Sequence, residues 1–376
     1  AKSKLGARVR VLVANPTDEL SVFSVSNVQM ENADLSKLGR THAITLSNTG
    51  LESVKLPADG QYITQLNLSG NNLASFDVSK YPNLSFLSLA DNKISSIDLS
   101  SAKKLELAMI SNNSLTSIVL DNPILWNLDL SVNKLESIDV SKLPKLQQLF
   151  LASNRLTAVS VPYKKNPELT ILNLVGNRLR FSTMPPANER VLKAGTKVQR
   201  FNKYSYNLQD PIKVECVDGK VDLSSEVTAG GKPTTFRWFV GNVQVIDGEL
   251  QGEELELNES YTLENGVTTL KLDNPINNLV CVMTNLAFPS AVLHTDYVKY
   301  VPTGIDAVKT NEDVKIQFVA GGINIVGGEN SPVAVYSIDG KTIYRAKAAT
   351  ADMHISLAPG TYIVRVGNKA SKISLK

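Results

Sequence analysis

Apolar positions recur with a fixed period along residues 44–182. Leu66-Asn67-Leu68-Ser69-Gly70-Asn71-Asn72-Leu73 returns as Leu87-Ser88-Leu89-Ala90-Asp91-Asn92-Lys93-Ile94. Further copies start at Ala108, Leu128, Leu149 and Leu172, and a degenerate one starts at Ile44. The seven starts lie 20 to 23 residues apart. An apolar-x-apolar start puts two side chains on one face of a short strand and the residue between them on the other. One such unit cannot bury its own apolar face, but stacked units share a continuous core. After each strand stands an asparagine: Asn71, Asn92, Asn113, Asn133, Asn154 and Asn177. A buried amide there can bond the backbone of its own and the next turn, groups that a tight coil leaves unpaired. Each copy closes with an apolar pair such as Ile97/Leu99 or Ile118/Leu120. About 21 residues leave little room for a helix. The closing pairs alternate with period two, which predicts extended or 3₁₀ return segments.

The pattern L-x-L-x-x-N-x-L resembles the leucine-rich repeat family in its short bacterial form, over residues 44–182. The resemblance implies a mainly β chain, with a parallel solenoid of about seven short repeats. Arg8 to Val13 alternates like a strand, and a solenoid needs its open end covered, so residues 1–43 read as an N-terminal cap.

Strand alternation also predicts which side chains line the concave face. The column before the leading apolar residue reads Ala43, Gln65, Phe86, Leu107, Asn127, Gln148, Ile171. The column after it reads Thr45, Asn67, Ser88, Met109, Asp129, Phe150, Asn173. Most members are small and polar. Phe86, Leu107, Met109 and Phe150 break that rule, with Trp126 at the strand entrance and Asp129 among them. An apolar patch rimmed by polar residues marks an interaction site. The alternative is that these side chains pack on one another or under a loop.

The period stops after Leu179, and Met184-Pro185-Pro186 is a boundary signal. Residues 183–302 read as short strands separated by turn signals such as Asp218-Gly219, Gly230-Gly231, Asp247-Gly248 and Asn265-Gly266. That spacing predicts an antiparallel β-sandwich. Phe236-Arg237-Trp238-Phe239 followed by Val280-Cys281-Val282 resembles the core of an immunoglobulin-like domain. Leu223 stands where that family carries its first cysteine, so Cys216 and Cys281 read as buried thiols, with a bridge as the alternative. Residues 303–376 read as a further β-sandwich after a linker at Tyr300 to Gly304, with a hairpin turned at Asp339-Gly340. The order of Val333-Ala334-Val335-Tyr336, Leu357-Ala358-Pro359-Gly360-Thr361-Tyr362 and a last strand ending in Lys376 resembles the C-terminal sorting domain of the Bacteroidetes type IX secretion system. That resemblance implies a secreted or outer-membrane-surface protein. The alternative is a plain third domain.

Composition narrows the function. The chain has 376 residues, 39 Lys+Arg against 36 Asp+Glu, three His and two Cys. The net charge of +3 divides into +4, −4 and +3 across the three segments, which argues against a general nucleic-acid binder. His42, His294 and His354 fall in different segments, and no nucleophile, phosphate-loop or metal motif is present. No catalytic residue, metal or cofactor is expected, and no apolar run reaches membrane-span length. The start at Ala1-Lys2-Ser3-Lys4 reads as a mature or trimmed chain whose export signal has been removed. The leading expectation is a monomeric recognition or adhesion protein that binds a protein or glycan through its concave face. The alternative is a non-catalytic accessory or scaffold protein of the bacterial surface.

Overall fold

A computed structural model describes residues 8–13, 20–162, 164–185, 190–191, 197–198, 203–246, 249–302, 315–319, 321–326, 331–347, 352–367 and 369–375. The Ala1–Lys4 start, Pro186, the Asp247-Gly248 turn, Thr303-Gly304 of the expected linker and Lys376 lie outside the described residues. The chain divides into two compact units. Residues 1–215, 221–269 and 278–298 form the first; residues 216–220, 270–277 and 299–376 form the second.

The first unit is built on a parallel solenoid. Nine strands form one sheet in chain order, from Val22–Ser26 through Ala43–Ser47, Gln65–Asn67, Phe86–Ser88, Leu107–Met109, Asn127–Asp129, Gln148–Phe150 and Ile171–Asn173 to Lys203–Ser205. Each of the seven sequence copies supplies one strand. One further strand extends the sheet at each end, and Val22–Ser26 lies within the stretch expected as a cap. Leu66, Leu87, Ala108, Leu128, Leu149 and Leu172 stand opposite one another in register. All six are fully buried. This line of side chains is the array core, and each coil completes the apolar face of its neighbour.

The turn after each strand is equally regular. The fourth residue past the leading apolar position takes a left-handed backbone in all nine coils: Asn27, Asn48, Gly70, Asp91, Asn112, Val132, Ser153, Gly176 and Leu208. Asn, Asp and Gly tolerate that region; Val and Leu adopt it against a steric cost.

The next residue carries the amide ladder. Asn113 Oδ1 accepts the Ile94 N–H at 2.9 Å, and its Nδ2 donates to the carbonyls of Leu89 and Ile110 at 2.9 and 3.3 Å. Asn177 repeats this with Leu156 N–H, Leu151 O and Leu174 O. The amide therefore reaches the preceding coil, whereas the repeat pattern predicts the following one. The reason is that Oδ1 meets the N–H of the residue two past the preceding coil's own asparagine. Gln209 continues the ladder past the last sequence copy, accepting from Leu179 N–H and donating to Leu174 O and Tyr206 O.

The return side is extended, as the period-two pairs predicted. Ser96–Asp98 pairs in parallel with Ser117–Val119, and the Gly60–Tyr62 turn is 3₁₀. Among the described residues there is no α-helix. Asn122 and Asn166, both fully buried, supply a second set of amide bonds there. Asn122 donates to Leu99 O and Ala102 O, and Asn166 donates to Val140 O and Leu143 O.

Antiparallel sheets follow. Lys232–Ile246 pairs with Ile276–Asn285, which sets Trp238 opposite Cys281. Trp238 is fully buried and donates Nε1–H to Thr268 Oγ1 at 2.9 Å, tying that strand to Val267–Leu270 in a second sheet. The turn between Tyr261–Glu264 and Val267–Leu270 is Asn265-Gly266, with φ of 48° and 78°, as a two-residue hairpin requires. Both cysteines are free thiols; Cys281 is buried, which pushes its thiol up, whereas Cys216 is half-buried rather than buried as expected. Ile212 makes a single parallel bridge to Thr295.

Solenoid and sheets meet inside the first unit. Phe181 stacks on Phe288 at 5.6 Å. Glu226, fully buried, accepts from Ser182 N–H at 3.0 Å and Ser182 Oγ–H at 2.6 Å. In the second unit, Lys315–Val319, Gly322–Val326 and Asp352–Ser356 form one antiparallel sheet, and the four strands from Val333 to Leu375 form another. Ile323, Ile325, Val333, Val335, Val364 and Val366 are its buried core.

Candidate binding face

Short three-residue strands fix the outward side chains because both neighbours hold each backbone in register. Phe86 stands opposite Leu107, and Leu107 opposite Asn127. In the next column Met109 stands opposite Asp129, and Asp129 opposite Phe150. The predicted residues Phe86, Leu107, Met109, Asp129 and Phe150 therefore fall on four adjacent strands. Trp126 precedes its strand; its carbonyl accepts from Gln147 and Gln148 N–H, which anchors it at the strand entrance. Met109 is exposed, at 39%, and the other five are half-buried.

The polar members of the second column turn along their own strands. Asn67, Asp129 and Asn173 each accept the N–H of the residue two further on, at 3.0, 2.9 and 3.2 Å. Asp129 uses Oδ1 for this, and among the described residues no donor reaches its second oxygen. In the first column Asn127 Nδ2 donates to Gln148 Oε1 at 3.2 Å, so these two amides pair across strands.

Val132 was not among the predicted residues. It is 48% exposed and sits at the exit of the Asn127–Asp129 strand with φ of 56°. The signal for it was a β-branched residue where six of the other eight coils carry Asn, Asp or Gly. A second concavity, of about 510 Å³, lies elsewhere in the first unit. Val280, Val282 and Val292 line it, with Tyr297 and Asn242, whose side chains bond at 2.5 Å. Among the described residues no three His, Cys, Asp or Glu side chains converge as metal ligands, and no helix is long and apolar enough to cross a membrane.

No protein-family model and no curated protein matches the chain. Solved structures do. The functional domain of InlJ from Listeria monocytogenes matches at 17% identity and a TM-score of 0.47, covering 74% of this chain and 62% of that one. An internalin, InlF, from the same organism matches at 18% identity and a TM-score of 0.36, covering 50% of this chain and 62% of that one. YopM from Yersinia enterocolitica matches at 20% identity and a TM-score of 0.36, covering 54% of this chain and 50% of that one. The chain thus spans about three-fifths or less of the length of each.

Proposed function

We propose that this chain is a non-catalytic recognition protein that binds a macromolecular partner through the outward face of its repeat sheet. The observation that carries this is the register: it gathers Phe86, Leu107, Met109 and Phe150 on four adjacent strands. An apolar patch on an otherwise small, polar face favours association, because its burial removes apolar area from water. The amide ladder holds the strands rigid, so little ordering entropy is lost on binding. The work divides near residues 182 and 302: the array recognises, and the sheets that follow display it. The C-terminal resemblance supports a secreted or surface-attached protein. Two measurements test this. A screen of the chain against protein and glycan arrays, repeated with Phe86, Met109 and Phe150 changed together to Ser, is expected to lose its hits in the folded variant. Hits retained at full strength contradict the site. Localisation with and without residues 303–376 tests the surface assignment, and unchanged export without them contradicts it.

A further inference from the structure

We propose that the partner is a protein segment presenting a lysine or arginine side chain between apolar residues, with Asp129 receiving the cation; this rests on the outward face being the binding surface. The chain holds 39 Lys and Arg, yet none occupies the outward columns of the strands from Ala43–Ser47 to Ile171–Asn173. The strand-entrance row, His42, Thr64, Ser85, Glu106, Trp126, Gln147 and Thr170, holds none either. The acids of this face are Asp129, in the middle of the apolar patch, and Glu106, whose carbonyl accepts from Trp126 N–H on the neighbouring coil. Lys203, opposite Ile171, is the one described cation in these outward columns, and it lies on the last strand, three strands from Asp129; on the earlier coils the cations begin past the turns, at Lys93, Lys134, Arg155 and Arg178.

The geometry around Asp129 suits one long cationic side chain. Its register neighbours are Met109 and Phe150. Their apolar bodies can cover a methylene stem, and an aromatic ring beside the carboxylate suits a cation. Its Oδ1 is fixed by the Ser131 N–H, which leaves the second oxygen for an incoming donor. A charge-assisted bond formed there, within an apolar rim, is stronger than one in open water. The same carboxylates repel phosphate, sulfate and acidic peptides, so this face discriminates by sign as well as by shape.

The test is selection from a displayed random-peptide library on the immobilised full chain, followed by titration of the selected peptide in synthetic form. We expect enrichment of Lys or Arg flanked by apolar residues. Asp129→Asn keeps the Ser131 contact and is expected to weaken the synthetic peptide at least tenfold. Asp129→Lys is expected to bind the peptide in which the cation is replaced by Glu better than the original. Enriched peptides lacking a cation, or equal binding by wild type and Asp129→Asn, overturn the assignment while leaving the face itself standing, provided the Phe86→Ser, Met109→Ser, Phe150→Ser variant still loses binding. If that variant binds as well as wild type, the reading of the face fails too. Hits on a glycan array that are insensitive to Asp129→Asn, with no peptide enriched, also overturn it. Each variant must show the wild-type unfolding midpoint to within a few degrees.

Discussion

The repeat array and the antiparallel sheets within the first unit are both all-β, but they are held together differently. In the array almost every stabilising contact joins a coil to the next. The leading apolar residues stack in one line, and a side-chain amide stitches each turn to its predecessor. In the sheets the contacts join distant segments: Trp238 lies against Cys281 in register and bonds Thr268. A local, repeated interaction yields a rigid platform whose side chains project at fixed spacing. A long-range, single-copy interaction yields a compact body with no such lattice. This is why the candidate binding residues fall on the array.

The largest expected effect breaks the sheets alone. Trp238→Ala removes a fully buried ring and is expected to cost about 3–5 kcal/mol. Amide exchange resolved by segment is expected to show residues 66–156 keeping their protection, since each coil depends on its neighbours. Equal loss of protection in the coils contradicts the contrast.

Next comes the ladder. Asn177 is fully buried, whereas Asn113 is half-buried. Asn177→Ala leaves the buried Leu156 N–H unpaired, while Leu151 O keeps Asn154 Nδ2 and Leu174 O keeps Gln209 Nε2; it is expected to cost about 2–3 kcal/mol, and Asn113→Ala about 1–2 kcal/mol. Chemical denaturation of both variants checks the order. An unchanged midpoint for Asn177→Ala contradicts the ladder's role.

A gain is expected at Val132. Asn suits the left-handed turn that Val adopts only with strain, so Val132→Asn is expected to raise stability by about 1 kcal/mol in thermal unfolding. A loss of stability would mean that the valine packs favourably despite its backbone.

The smallest effect is with pH. Serine side-chain bonds from two residues on hold the Asp34, Asp77 and Asp98 carboxyls below the usual range, and at Asp139 the Ser141 N–H does so first. A carboxyl with a folded pKa below its unfolded one stabilises the fold above the unfolded value, and that contribution fades as pH falls through the folded one. The array's unfolding midpoint is therefore expected to drop modestly between about pH 4 and pH 2, and Asp98→Asn to flatten the drop. An identical acid profile for the variant contradicts the assignment.

The same contrast governs how much could be read from the sequence. The coils announced themselves because an apolar residue at a fixed offset repeats seven times and Asn at the turn six times, and the columns of outward residues followed from strand alternation alone. The end coils did not, because Phe23 and Tyr204 replace the leading Leu and Gln209 replaces the Asn. The buried amides Asn122 and Asn166 escaped for a related reason: they occur in two coils only, each before a proline. In the sheets, Tyr261–Glu264 alternates with period two, but four residues are too short a run to stand out from the polar segment around it. Glu226 was invisible as a junction residue, since its partner Ser182 lies 44 positions away and nothing local marks either one.

The central claim is that recognition happens on the array's outward face. Hydroxyl-radical footprinting of the full chain, alone and saturated with the library-selected peptide, tests it directly, because the radical labels Met, Trp and Phe side chains by their exposure. Protection is expected at Met109, Trp126, Phe86 and Phe150, with Leu208 and Tyr297 beside the second concavity unchanged. Protection of Leu208 and Tyr297, with Met109 labelled as before, would contradict the account.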